Sequence, residues 1–301
     1  MKGRNRMKAV FLDYRDINFG DLSWDAFEDI CSFEAYSEST MEEAVERARD
    51  AEAVITDSLT LDESFMRRCP RLKFIGAAAT GYNNIDIEAA GRLGIAVANV
   101  PEYSREAVAQ HTIALLLDIT NRVSVFEEGR MTEDPMKGIP TLLHGKTLGI
   151  VGFGSIGSKV AEIGEALGMK VNIYSRDKEA AIASDVVSLH CPLNEETAGL
   201  VDREFISKMK DGAILINTAR GGLVDEEALA DALKKGKLRG AGLDVTVNEP
   251  PEECCPLLEC ENCRITPHVA FMPVETRKKV LDITAGNLAA FIKGQRQNRI
   301  V

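Results

Sequence analysis

The glycine-rich run "GFGSIG", residues 152–157, constrains the fold more than any other feature of this chain. An apolar segment (147–151) precedes it and a helical pattern (155–167) follows it, which is the strand-loop-helix arrangement of a dinucleotide-binding loop. In such a loop the first glycine permits a tight turn, the second lets the backbone approach a pyrophosphate, and the third lets helix and strand pack closely. Backbone amides at the helix start can hold phosphate oxygens. We therefore predict a dinucleotide bound by Gly152, Gly154, Ser155, Ile156 and Gly157.

Strand and helix patterns alternate on both sides of this run. In the first part of the chain, strands are predicted at 9–12, 53–56, 73–77 and 95–98, with a weaker candidate at 32–36, and helices at 41–48, 62–68 and 85–93. In the second part, strands are predicted at 147–151, 170–174, 185–190, 213–217, 240–244 and 264–266, and helices at 155–167, 203–209 and 225–235. Such alternation implies an α/β fold with parallel sheets covered by helices.

Two long helices decide the domain organisation. A largely apolar helix should follow Pro101, and a terminal helix at 274–293 comes too late to extend the second sheet. We expect the terminal helix to return to the first domain. The predicted domains are a discontinuous substrate domain (1–99 with 273–301) and a dinucleotide-binding domain (100–272).

Composition excludes several classes of partner. A net charge of -11 argues against broad nucleic-acid binding, which needs a cationic face. No apolar run approaches the roughly 18 residues of a membrane span. The basic start "MKGRNRMK" is followed only by "AVFL", which is too short for a signal peptide. We predict a cytoplasmic protein without nucleic-acid or membrane partners.

The seven cysteines show no disulfide pattern, but Cys254, Cys255, Cys260 and Cys263 lie close together. One C-x-x-C pair makes a zinc site conceivable. A second clean pair is lacking, so free thiols are the favoured interpretation and no metal is predicted.

Three successive strand ends after the glycine loop carry unusual polar side chains: Arg220, then Asp244 and Glu249, then His268. Each alone fits a loop ion pair, yet together they lie where ligands bind in open parallel sheets. An arginine fork can bind a substrate carboxylate, and a histidine can donate a proton to a carbonyl oxygen. Glu249 would orient the imidazole and raise its pKa. These residues predict a hydride-transfer site for a keto acid.

The other histidines are poorer acid-base candidates. His111 lies in the apolar helix and is interpreted as a hydrogen-bonded structural residue, and His144 precedes the first nucleotide strand at its wrong end. His190 ends a strand near the cofactor, without an acid-base partner nearby in the sequence.

The motifs "GFGSIG", "NTARGGLVDEEAL", "GLDVTVNEPP" and "ITPHVA", with "GYNNIDIEAAGRLGIAVANVPEYSREAVAQHT", together resemble the D-isomer-specific 2-hydroxyacid dehydrogenase family over nearly the whole chain. "ATGYNNID", "GKTLGIVGFG" and "NCRITPHVAF" look most like its glycerate dehydrogenase (hydroxypyruvate reductase) branch. The resemblance implies two doubly wound parallel-sheet domains around a cleft, a Rossmann-type cofactor domain and a flavodoxin-like outer domain.

The resemblance also implies site roles. Arg220 would bind the substrate carboxylate and carbonyl, His268 would be the acid-base and Glu249 its partner. Backbone amides around Thr80 and Gly81 would hold the carboxylate from the opposite wall. The cofactor side is assigned the following residues: Thr218, Ala219 and Asp244 at the nicotinamide, with Cys191 and Pro192.

Three departures from the family pattern stand out. Phe271 replaces a common tryptophan, and the stretch from Arg130 to Leu143 is short and lacks its tryptophan, which would alter a subunit contact. Only residues 177–183 separate Arg176 from the next strand pattern, where the family has a further short strand and helix. A crossover usually needs a dozen or more residues. Either an extended link spans a narrowed sheet, or a loop is missing from the sequence.

The main hypothesis is an NAD(P)H-dependent reductase of a small 2-keto acid, hydroxypyruvate or glyoxylate. One alternative is a non-catalytic NAD(H)-responsive binding protein similar to corepressors that resemble this family. A methyltransferase explains the glycine loop but leaves Arg220 and His268 without a role. The apolar helix after Pro101 favours a homodimer, because an exposed apolar face marks an interface.

The cofactor preference depends on the end of the strand after the glycine loop. NAD-preferring sites usually place a carboxylate there, whereas this chain has Ser175 followed by Arg176. Arg176 can form charge-assisted bonds to a 2′-phosphate. Alternatively Arg176 stacks on adenine or faces water, and Asp177 reaches back to the ribose. We favour NADP(H) over NAD(H), with use of both left open.

Overall fold

The structure, a computed structural model, describes residues 6–122 and 139–301. The chain divides into two compact units. Unit 1 comprises residues 1–103 and 272–301, and unit 2 comprises residues 104–271.

Unit 1 is built around a five-stranded parallel sheet in the order β2-β1-β3-β4-β5. This is the flavodoxin-like order in which the chain turns back once beside the first strand. Its elements are β1 (Lys8–Phe11), α1 (Asp25–Glu28), β2 (Ser32–Ala35), α2 (Met41–Ala48), β3 (Ala53–Thr56), α3 (Glu63–Arg68), β4 (Phe74–Ala77), α4 (Ile87–Arg92), β5 (Ala96–Ala98) and, from the end of the chain, α10 (Val274–Ile292).

The local sequence explains where the helices of unit 1 begin. Thr40 and Glu43 form a capping box at α2, and the carboxylates of Asp62 and Asp86 accept bonds from amides of the first turns of α3 and α4. Every residue of β3 and β4 is buried, because helices cover both faces of the sheet. The predicted strands and helices of this unit are confirmed, with bounds that move by one or two residues, and only the short α1 was not predicted.

Unit 2 contains a six-stranded parallel sheet in the order β11-β10-β9-β8-β6-β7. Its elements are α5 (Arg105–Asn121), β6 (Thr147–Val151), α6 (Ser155–Ala166), β7 (Lys170–Ile173), α7 (Lys178–Ile182), β8 (Val186–Leu189), α8 (Arg203–Lys208), β9 (Ala213–Asn217), α9 (Glu226–Lys234), β10 (Leu238–Leu243) and β11 (Cys263–Ile265). The predicted fold class of two doubly wound parallel-sheet α/β domains is confirmed.

The sheet of unit 2 lacks one strand of the usual dinucleotide-binding order, the strand that lies beyond the second. Its first two strands, β6 and β7, are adjacent, and the third, β8, lies on the other side of β6. In the usual order the third strand lies beyond the second. Here β7 is therefore the edge strand of the sheet. Of the two explanations for the short segment 177–183, the structure supports a sheet that lacks a strand.

The prediction that an extended segment links β7 to β8 is wrong, because this segment contains the helix α7 (Lys178–Ile182). The Asp177 carboxylate starts this helix by accepting a bond from Ala180 N at 3.0 Å. A side chain on Gly149 of β6 would place its Cβ 2.1 Å from the Ala181 carbonyl oxygen. Glycine there lets α7 lie directly on the sheet, so one turn and a half of helix completes the crossover.

The homodimer was predicted from an exposed apolar face on the helix after Pro101, which is α5. Its larger apolar side chains are buried or half-buried within unit 2, and none of them is exposed. The exposed apolar face that motivates the dimer is therefore not found on α5. Most of the short stretch Arg130–Leu143 lies outside the described residues. In the described ranges, no helix has the length and apolarity to cross a bilayer.

Candidate active site

The glycine loop follows β6 as predicted. Gly152 has a φ of 99°, and a Cβ there would lie 2.4 Å from the backbone nitrogen of Cys191. A Cβ on Gly157 would lie 2.0 Å from the Gly152 carbonyl oxygen. Both positions exclude any side chain, since real Cβ atoms do not approach so closely. The loop therefore holds α6 tightly against β6 and the start of the β8 loop.

The same loop fits the pyrophosphate of a dinucleotide. A Cβ on Gly154 would meet no atom within 4 Å, so its backbone is open to a ligand. The helix α6 begins at Ser155, and its first amides, including that of Ile156, have no partner within the helix. Open backbone and a helix N-terminus together favour phosphate oxygens.

The loop after β8 runs beside the glycine loop. The thiol of Cys191 is partly buried, and burial raises its pKa. The Pro192 carbonyl accepts a bond from Thr197 Oγ1 at 2.6 Å, which closes the loop on itself. Both residues thus lie along the edge of the predicted cofactor site.

At the end of β7, Ser175 and Arg176 are exposed. The Arg176 guanidinium carbon lies 5.6 Å from the centroid of the Phe153 ring, in the middle of the glycine loop. Asp177 caps α7, so the alternative in which its carboxylate serves the ribose competes with a bond it already makes. The structure thus places Arg176, rather than Asp177, at the glycine loop.

Arg220 follows β9 in a turn that other side chains hold. The buried Asn217 amide donates to the Arg220 carbonyl at 2.8 Å, and its oxygen accepts from Ala219 N at 3.0 Å. A Cβ on Gly221 would lie 2.0 Å from the Thr246 carbonyl. Gly221 thus lets the loop after β9 touch the loop after β10, which carries Glu249.

His268 and Glu249 form a hydrogen-bonded pair. Nδ1 of His268 lies 2.7 Å from Oε2 of Glu249, and the other carboxylate oxygen accepts from Thr246 N at 3.3 Å. The bond to Glu249 raises the pKa of His268 above its ordinary value, against opposing effects of burial and of the Arg220 charge. The Arg220 guanidinium donates to the Ala219 carbonyl at 2.7 Å.

Asp244 organises the backbone on which His268 stands. Its carboxylate accepts bonds from Thr266 Oγ1 at 2.6 Å and from the amides of Val269 and Ala270 at 2.9 Å. Burial opposes ionisation of Asp244, but these bonds and one from His111 outweigh it and hold its pKa below the usual value. His268 itself has a φ of 53°, which a non-glycine residue rarely adopts without such support.

The remaining predicted residues lie as follows. The Thr218 hydroxyl is 2.8 Å from the hydroxyl of Thr112 on α5, and Ala219 is the next residue of the same turn. In unit 1, the loop after β4 contains Thr80 and Gly81, whose backbone amides donate no bond to any group in the described ranges. Those amides are therefore available to a ligand.

The weaker histidine candidates have structural partners. Nε2 of His111 lies 2.9 Å from Thr266 Oγ1 and 3.3 Å from Asp244 Oδ1, as a hydrogen-bonded structural residue should. Burial lowers the pKa of His190 to about 3, and its Nε2 lies 2.8 Å from Ser188 Oγ. His190 is therefore neutral at physiological pH and is no acid.

The cysteine cluster packs against the core of unit 2. Cys255 and Cys260 are buried, and burial raises the pKa of Cys263 to about 12. Protonated buried thiols behave as small apolar side chains.

Sequence reasoning missed the residues that support the site rather than those that form it. Asn217 and Gly221 hold the Arg220 turn, and Thr246 fixes Glu249. One signal was available for Asn217, which is a polar residue ending the apolar run "AILIN". As a whole, the arrangement offers a cation, an imidazole paired with a carboxylate, and a phosphate-binding loop along one edge of a parallel sheet.

Comparisons with known proteins place this geometry in context. Residues 110–270 match the family described as D-isomer specific 2-hydroxyacid dehydrogenase, NAD binding domain. A "Hydroxypyruvate reductase" from Blautia hydrogenotrophica is 41% identical, over 97% of this chain and 99% of the relative. A "Glycerate dehydrogenase" from Methylorubrum extorquens is 36% identical, over 97% and 98% respectively.

Solved structures agree with this. A D-lactate dehydrogenase from Aquifex aeolicus, complexed with NAD and lactic acid, is 31% identical with a TM-score of 0.83, covering 95% of this chain and 96% of the other. An acyclic imino acid reductase in complex with NADPH and D-Arg is 28% identical with a TM-score of 0.85, covering 98% and 100%. Similar folds thus bind either nicotinamide cofactor.

Proposed function

The chain belongs to the D-isomer specific 2-hydroxyacid dehydrogenase family, and from this premise we propose that it reduces a small 2-keto acid, hydroxypyruvate or glyoxylate, with NAD(P)H. The observation that carries the proposal is the His268–Glu249 pair, at 2.7 Å, within electrostatic range of Arg220. Relatives named for hydroxypyruvate and glyoxylate reduction support the substrate class.

The mechanism assigns one task to each side chain. A bound nicotinamide supplies the hydride that reduces the carbonyl carbon. The Arg220 fork binds the carboxylate and polarises the carbonyl, because a planar guanidinium matches two oxygens at once. His268 enters as imidazolium and gives its Nε2 proton to the carbonyl oxygen as negative charge develops there. Glu249 holds the other ring nitrogen and favours the charged form.

Further groups complete the proposed site. The unused amides of Thr80 and Gly81 would bind the substrate carboxylate, and Thr218, Ala219 and Asp244 would line the nicotinamide. Cys191 and Pro192 would border the cofactor beside the glycine loop. Gly152, Gly154, Ser155, Ile156 and Gly157 would hold the pyrophosphate.

The decisive experiment follows nicotinamide absorbance with purified protein and a panel of 2-keto acids. We expect turnover with hydroxypyruvate or glyoxylate and formation of the D-hydroxy acid. Inactivity with every acid and both cofactors would overturn the proposal. Tight nucleotide binding without turnover would instead support the corepressor-like alternative, which no observation favours at present.

We also propose a preference for NADPH. Ser175 leaves a 2′-phosphate without a repelling carboxylate, and Arg176 lies beside the glycine loop. Arg176→Ala should lower the NADPH/NADH ratio of kcat/KM about tenfold or more, since bonds to a charged partner contribute about 1.5–3 kcal/mol. A native preference for NADH with a ratio unmoved by the substitution would refute this.

A homodimer and a cytoplasmic location complete the proposal. Light scattering at micromolar concentration tests the first, and a monomer there would exclude it. The family resemblance supports both, whereas the apolar surface expected on α5 does not contribute.

A further inference from the structure

Phe153 is the large side chain of the glycine loop, and the role proposed for that loop does not use it. It occupies the variable position between Gly152 and Gly154, and 43% of its surface is exposed. Its recorded partner is the Arg176 guanidinium, 5.6 Å from the ring centroid.

The contact with Phe153 leaves the N–H groups of the Arg176 guanidinium without a hydrogen-bond acceptor in the described residues. The Arg176 side chain makes no hydrogen bond or ion pair to any group in residues 6–122 and 139–301. A cation over an aromatic face is attracted by the ring while its N–H groups stay available at the edge. The backbone of Arg176 is fixed as well, because its amide donates to the Ile173 carbonyl at 2.9 Å.

The carboxylates around Arg176 are directed elsewhere. Asp177 caps α7 through Ala180 N, and Glu179 lies within electrostatic range of Lys208 on α8. Lys178 lies over the Tyr174 ring at 5.4 Å, which adds a second cation near the end of β7. Arg176 and Lys178 thus place two cations at the end of β7 that can attract a dianion, alongside the Asp177 carboxylate that caps α7.

We propose that Phe153 is a positioning residue for cofactor selection: its ring holds the Arg176 guanidinium where it meets the 2′-phosphate of the adenosine ribose. The inference rests on the proposed NADPH preference and extends it to a residue of the glycine loop. An arginine without the ring would sample many rotamers, and ordering it would oppose binding. The ring supplies that order before the cofactor arrives.

A double-mutant cycle tests the coupling. The NADPH/NADH ratio of kcat/KM is measured for the native protein, Phe153→Leu, Arg176→Ala and the double variant. We expect Phe153→Leu to lower the ratio about two- to fivefold, as for an exposed cation–π contact, and to have no effect once Arg176 is alanine. Phe153→Tyr should restore the native ratio, and Leu142→Ala, at an exposed site of unit 2, serves as the surface control.

A binding measurement makes the test independent of turnover. Calorimetry with 2′,5′-ADP and with 5′-AMP reports recognition of the 2′-phosphate even if no keto acid is reduced, so this inference and the proposed function fail separately. Phe153→Leu should weaken 2′,5′-ADP and leave 5′-AMP unchanged. Equal weakening of both nucleotides, or the same loss in the Arg176→Ala background, would show that Phe153 only shapes the loop and would overturn the inference.

Discussion

Two groups of loops at the carboxyl ends of the unit 2 strands differ in how their side chains are held. At the reactive end, in the loops after β9, β10 and β11, Glu249 is hydrogen-bonded to both His268 and Thr246 N. The Arg220 backbone is held by Asn217, and its exposed side chain donates to the Ala219 carbonyl. At the selecting end, after β7, Ser175 and Arg176 are exposed, and a single aromatic contact orients the arginine. Under the proposed function, the proton donor is therefore held by a hydrogen bond, whereas the residue proposed to select the cofactor is held by one aromatic contact.

The largest effect is expected when the proposed general acid, His268, is removed. His268→Ala should lower kcat by about a hundredfold or more, because a positioned general acid contributes about 10²–10⁴-fold. The matched control is His144→Ala, an exposed histidine before β6. Steady-state kinetics with the best keto acid measures both, and unchanged turnover in the His268 variant would remove the reactive end from catalysis.

A smaller effect is expected at Glu249, where a substitution should change the pH dependence of kcat/KM. Glu249→Gln keeps the shape but removes the charge that raises the pKa of His268. For reduction, kcat/KM should be constant at low pH and fall as pH rises through this pKa, because the proton is lost. In the variant, kcat/KM should begin to fall at a lower pH than in the native protein. At pH values above both pKa values, kcat/KM of the variant should be about tenfold lower for each unit by which the His268 pKa is lowered.

The same shift affects stability. Because the folded pKa of His268 is raised, the pair stabilises the fold below the unfolded histidine pKa, and this contribution is lost as pH rises through the folded value. Melting temperatures of the native protein and Glu249→Gln against pH should therefore converge at high pH. A gap that widens with rising pH would contradict the assigned direction.

The smallest expected effect lies at the selecting end. Asp177→Ala removes the cap of α7 and should cost about 1 kcal/mol of stability, with the NADPH/NADH ratio of kcat/KM unmoved. Denaturant titration measures the first and kinetics the second, with Glu179→Ala in the same helix as a control. A changed cofactor ratio at native stability would mean that the Asp177 carboxylate serves the ribose after all.

Regular elements could be predicted from the sequence because their signals are periodic. The strands of unit 2 are apolar runs such as "AILIN", and the loop at 152–157 has a spacing that one turn geometry requires. The helix α7 was missed because five residues, "KEAAI", are too few to show a helical period. Asp177 also looked like a ribose ligand, since a carboxylate after a strand fits either role.

The supports of the site were harder to foresee. Gly221 matters because the Thr246 backbone comes within 2.0 Å of where its Cβ would be, and that contact joins two loops far apart in sequence. Phe153 and Arg176 likewise meet only after β6 and β7 pair. A single sequence shows which residues can do chemistry, whereas contacts between loops arise from the tertiary fold.

The strand that the unit 2 sheet lacks has a consequence for exchange of the sheet's backbone protons. Because β7 pairs only with β6, the amides on its outer side face no neighbouring strand of the sheet. A strand held from one side opens at a lower free-energy cost than an interior strand such as β8. The turn that carries Arg176 therefore lies at one of the two edges where hydrogen–deuterium exchange should be faster than inside the sheet, and a bound adenosine phosphate should slow exchange more at this edge than at β11.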